Sequence, residues 1–114
     1  MKIFGGALSD IERSLDVREK KHGALQGNLA NIDTPDFVPE DVDFDAAMQK
    51  LADGEAIDAE EAAGEATASL DGNRVDADRT MAALAENALQ YGAATRVASK
   101  KLALLRYVAS DGQG

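Results

Sequence analysis

Few side chains in this sequence could do covalent or metal chemistry. Cysteine is absent, which removes disulfides, thiolate metal sites and thiol nucleophiles together. The single histidine, His22, follows Lys20 and Lys21. Catalysis by it would need a nucleophile and an orienting acid that no spacing supplies, so a place on a helix surface or seam edge is the expected one. Asp41, Asp43 and Asp45 alternate as oxygen ligands do in a calcium loop, but the sixth position is Ala46 rather than Gly and the twelfth Ala52 rather than Glu. A solvated acidic turn is expected there instead. Glu60 and Glu61 are adjacent and do not share a helix face. The sequence therefore predicts no catalytic residue, no metal ligand and no cofactor, and the informative residues are those whose spacing builds helices.

The chain's 114 residues fit one domain and exclude a two-domain enzyme. Hydrophobic residues make up 45% but aromatics only 4%, so the apolar content is mostly Ala, Leu and Val, which favours helices over a β-sandwich. The net charge of −9 is unevenly placed: residues 36–65 hold eleven acidic side chains against Lys50 alone, while the flanking stretches nearly balance. Repulsion and solvation favour an exposed middle segment. Nucleic acid is excluded as a partner for want of a basic face. No apolar run is long enough to span a lipid bilayer. The start, with Gly5 and Gly6 followed by Asp10, Glu12 and Arg13, lacks the apolar stretch of a cleaved secretory signal.

Two helical stripes flank the acidic middle. The first is predicted to begin near Ser9, with Ser9-x-x-Glu12 as a capping box. Its seam runs Leu8, Ile11, Leu15, Arg18, His22, Leu25, Leu29 and Ile32 at heptad-type spacing, with a polar interruption in which Arg18 is placed to fix register by meeting an acid of a neighbouring molecule. Gly23 and Gly27 permit a close helix approach or add flexibility. The second stripe opens with Asp76 as N-cap and runs to about Ser110. Met81, Leu84, Ala88, Tyr91, Thr95, Ala98, Leu102 and Leu105 form its seam, flanked by Leu89, Val97, Leu104 and Val108, with Arg96, Lys100, Lys101 and Arg106 complementing the helix dipole.

Between the stripes, Asn28, Asn31, Thr34, Pro35 and Phe37 form a helix-ending turn that aims the chain outward, Asn31 taking a left-handed cap conformation. Ala46 to Asp53 is expected to make two helical turns stopped by Gly54, and Glu55 to Ser69 a loop or fraying helix. The organisation is thus an inner helix over 1–35, an acidic outer segment over 36–75 and a long inner helix over 76–114. That last helix would be about 50 Å long, whereas a compact domain of this size is about 35 Å across, so it must protrude. The first helix, at about 35 Å, covers only part of the apolar stripe. The remainder calls for neighbouring copies of the chain.

These residues carry a resemblance. Asn28 to Phe44, NLANIDTPDFVPEDVDF, resembles the signature N-I-A-N-x-x-T-P-G-Y that ends the N-terminal helix of bacterial flagellar rod and hook proteins, matched at Asn28, Ala30, Asn31, Thr34 and Pro35. Asp36 stands for the customary Gly, and Asp tolerates positive φ better than most residues; Phe37 stands for Tyr. Leu70 to Arg106 is similar to the proximal-rod members of that group at Asp71, Gly72, Asn73, Val75, Asp76, Asp78, Ala85, Asn87, Tyr91, Ser99, Lys100 and Leu102. The resemblance implies a mainly α, structural, non-enzymatic protein whose terminal helices pair as a coiled coil around a small outer segment. It implies export through the flagellar type III apparatus and helical stacking into the periplasmic rod. The implied partners are copies of the chain, other rod proteins, and the basal-body adapter protein and export gate at the rod's base.

Overall fold

A computed structural model describes residues 2–62 and 75–111. The protein is mainly α: two long helices, α1 (Lys2–Ala30) and α3 (Ala77–Asp111), pack against each other as a coiled-coil pair. Between them lie β1 (Glu40–Asp41), α2 (Phe44–Ala52) and β2 (Glu60–Glu61). The molecule measures 66 × 26 × 17 Å, its long axis set by α3, whose 35 residues rise about 52 Å.

Helix α1 starts earlier than its capping signal. Ser9 is an exposed interior position, not a cap, and the backbone stays helical back through Gly6 and Gly5 to Lys2. Each glycine costs about 1 kcal/mol of helix propensity, and neither ends the helix. At the start of α3 local signal and structure agree: Asp76 Oδ1 accepts from the Arg79 backbone N–H at 3.0 Å.

The acidic middle segment departs from expectation, because it folds onto α1 instead of standing in solvent. Val17 of α1 is 0% exposed and packs with Val42 and Ala47, with Phe44, Met48, Leu51, Ile57 and Ala59 around them. Residues expected as loop at Glu60–Glu61 form β2, antiparallel to β1 with Glu40 opposite Glu61 and Asp41 opposite Glu60. Like charges facing across strands are unfavourable. Lysines from the helices compensate: Lys21 reaches Asp41 at 2.8 Å, Lys50 reaches Glu60 and Lys20 reaches Asp58, both at 3.3 Å. The expected span from 63 to 69 lies outside the described residues.

Helix α2 begins at Phe44, two residues before the expected start, because Asp43 caps it by accepting from the Ala46 backbone N–H at 2.9 Å. Gly54, at φ +78°, ends it while the Glu55 N–H donates to the Lys50 carbonyl at 2.8 Å, a left-handed ending that glycine adopts without strain. Asp43 is therefore a helix cap, and Asp41 accepts from Lys21 and from the Val42 N–H at 2.7 Å.

Candidate functional site

The turn after α1 is built by side-chain amides. Asn31 Nδ2 donates at 2.8 Å to the Gly27 carbonyl, which also accepts from the Asn31 backbone N–H at 3.1 Å, and Thr34 Oγ1 donates to Asn31 Oδ1 at 3.1 Å. The left-handed residue is Asp36 at φ 60°, not Asn31: among the described residues it is the one non-glycine with positive φ. Asn31 continues the helical hydrogen bonding through its own backbone N–H, and the left-handed backbone falls instead at Asp36, where the flagellar signature carries Gly. Pro35 and Thr34 are exposed, Phe37 is half-buried, and Pro39, not singled out in the sequence, is fully buried.

Asn28 ties the outer segment to α1. Its Nδ2 donates to the Glu40 carbonyl at 2.7 Å and its Oδ1 accepts from the Glu40 N–H at 2.9 Å. The side-chain amide thus pairs with one backbone residue as a neighbouring strand would, and fixes β1 against the last turn of α1. Asn28 is buried, so both polar atoms need these partners.

Along α1, every expected seam position from Leu8 to Ile32 is half-buried or, at Leu25, buried. Val17, Lys21 and Asn28 form a second covered face, toward the outer segment, that heptad spacing did not single out. Gly23 and Gly27 make no close approach, since a Cβ added at either meets nothing within 4 Å.

On α3 the covered row is Thr80, Leu84, Asn87, Ala94, Ala98, Lys101 and Leu105. It shares Leu84, Ala98 and Leu105 with the expected seam. Met81 (56% exposed), Ala88, Thr95 and Leu102 (47% exposed) face solvent, and Tyr91, on the α1 side, is partly exposed at a notch. Apolarity favours Met81, Ala88 and Leu102 over Thr80, Asn87 and Lys101, yet the polar row is the one turned inward. Thr80 and Asn87 can be buried because their polar groups are satisfied: Thr80 Oγ1 donates to the Asp76 carbonyl at 2.7 Å and Asn87 Nδ2 to the Arg18 carbonyl at 2.7 Å. Leu89, Val97, Leu104, Tyr107 and Val108 are exposed as well.

Arg18 has partners within its own chain. Its guanidinium lies 4.1 Å from the Phe44 ring centroid and 3.5 Å from Asn87 Oδ1, so α1, α2 and α3 meet at this side chain. His22 borders a shallow notch with Arg18, Gln26 and Tyr91. Among the described residues no group of His, Asp and Glu is arranged to hold a metal, and no helix is long and apolar enough to cross a membrane.

A long helix pair joined through an amide-built turn is the architecture that the resemblance to flagellar rod and hook proteins implies. No protein-family model matches the chain. Curated relatives do. It is 31% identical to the flagellar basal body rod protein FlgB of Escherichia coli, over 75% of this chain and 79% of the relative. It is 28% identical to FlgB of Bacillus subtilis over 99% of this chain and 100% of the relative, and 28% identical to FlgB of Cereibacter sphaeroides over 90% and 92%. The chain belongs to the FlgB family of flagellar basal body rod proteins.

Proposed function

We propose that the chain is a structural subunit of the proximal flagellar rod, which stacks helically through its terminal helices into the drive shaft of the basal body and so serves motility. The observation that carries this reading is the uncovered row Met81, Ala88, Thr95 and Leu102, which runs along α3 beside the row α1 covers. Met81 and Leu102 put large apolar side chains on this one exposed face, Ala88 and Thr95 keep it low between them, and such a face marks an interaction surface that a neighbouring copy or another rod protein of the same helical design fits. Residues 1–35 and 76–114 then form the inner layer and 36–75 the outer segment. The helix-ending turn at Asn28, Asn31 and Thr34 sets the angle between them.

Passage through the flagellar type III apparatus without a cleaved signal delivers the subunit to the periplasmic rod, where the adapter protein and export gate at the rod's base are further partners. The role is structural, not catalytic. Deleting the gene and restoring it on a plasmid tests the reading: basal bodies lacking a rod, non-swimming cells, and recovery of both on complementation are expected. Swimming that survives the deletion, together with a defined soluble oligomer of the purified chain, would instead identify a free coiled-coil module.

A further inference from the structure

Two surfaces of this chain complement each other and do not meet within one molecule. The first is an open groove in the outer segment. Phe44 and Ile57 contribute to its apolar floor, Asp43, Asp45 and Asp58 stand on its rim, and Lys21 and Lys50, which also line it, are paired with Asp41 and Glu60, so its carboxylates outnumber its cations. No residue of α3 lines it. The second is the last half of α3, where Val97, Leu104 and Val108 fall on one helical row. They are exposed at 44%, 46% and 39%. Arg96 and Lys100 flank that row, and both are exposed. Neither is ion-paired among the described residues. This row is separate from the one proposed above to meet a neighbouring helix, which lies on the other side of the α1-facing row.

We propose that the basic, apolar second half of α3 docks in the acidic, apolar-floored groove of a second copy. The occupant follows from charge and shape: an amphipathic helix lays its apolar row in a groove, cations along its edge match a rim of carboxylates, and the chain itself carries such a helix unused. The contact is heterologous, donor face to acceptor groove, so each copy keeps a free groove at one end and a free helix at the other. Repetition of such a contact yields an open helical filament unless the rotation closes it. The inference rests on the rod reading and adds which surfaces of successive copies touch.

Charge reversal separates donor from acceptor. Arg96→Glu with Lys100→Glu makes a donor-dead chain, and Asp45→Lys with Asp58→Lys an acceptor-dead one. Circular dichroism of each verifies the wild-type helix content. By analytical ultracentrifugation at low salt, wild-type chain associates and dissociates as salt is raised, while each variant alone associates about tenfold or more weakly. Mixing the two restores association, because the intact donor face meets the intact groove and the reversed face meets the reversed groove. A chain carrying all four reversals associates again. Wild-type chain that stays monomeric, variants that associate as wild type does, or a mixture that stays monomeric overturns the proposal. Restoration of swimming by both variants in the deletion strain also overturns it while leaving the rod reading intact, whereas wild-type chain that fails to restore swimming defeats the rod reading itself.

Discussion

Asn87 of α3 and Arg18 of α1 hold each other at the helix interface. The Asn87 amide donates to the Arg18 carbonyl at 2.7 Å, and the Arg18 guanidinium returns to Asn87 Oδ1 at 3.5 Å. Asn87 is 2% exposed. A buried polar residue in a helix seam costs stability and fixes register, and here the pair also anchors α2 through the Phe44 ring.

Replacing Asn87 by Ala removes these bonds and leaves a gap. Urea unfolding followed by circular dichroism is expected to show a loss of about 1–3 kcal/mol. An Asn87→Ala chain as stable as wild type would mean that the pair is incidental.

Asn28→Ala acts elsewhere. It leaves both backbone groups of Glu40 without their partner, so hydrogen exchange at Glu40 and proteolysis across β1, α2 and β2 should accelerate about tenfold or more, with α1 and α3 nearly unchanged. Tenfold corresponds to about 1.4 kcal/mol, within the range for leaving such groups unsatisfied. Equal acceleration in all elements would show that the outer segment is not separately tethered.

The three lysine bridges are unequal. Lys21 is largely covered, bonding both Asp41 and the Val42 carbonyl, whereas Lys20 meets an Asp58 that is 85% exposed. Lys21→Met should cost about 1–2 kcal/mol and Lys20→Met no more than about 0.5 kcal/mol. Melting temperatures in the reverse order would contradict the placement of charge described above.

One substitution should stabilise. Gly23 is helical and exposed, with open space where a Cβ would stand, so Gly23→Ala should add about 0.5–1 kcal/mol. Destabilisation of the isolated chain would reveal a close approach that the structure lacks.

The long helices, the Asp76 cap, the Gly54 stop and the turn at Asn28 to Phe37 could all be read from local sequence, because caps, glycines and heptad spacing act over a few residues. The covered face of α3 could not. Thr80 and Asn87 look like surface residues until their hydrogen-bond partners are known, and Asn87 entered the sequence reading only through the flagellar resemblance. Packing of the acidic middle was hidden for a related reason: Val17, Lys21 and Asn28 prepare its seat on α1, and that pairing is non-local. Strands of two residues leave no alternation to detect.

The central claim is that neighbouring subunits cover the row Met81, Ala88, Thr95 and Leu102. Since the chain has no cysteine, an Ala88→Cys variant carries a single thiol, and its maleimide labelling can be timed in the isolated chain and in intact rods from complemented cells. The account predicts rapid labelling of the isolated chain and strong protection in the rod. Equal labelling rates in both states would contradict it.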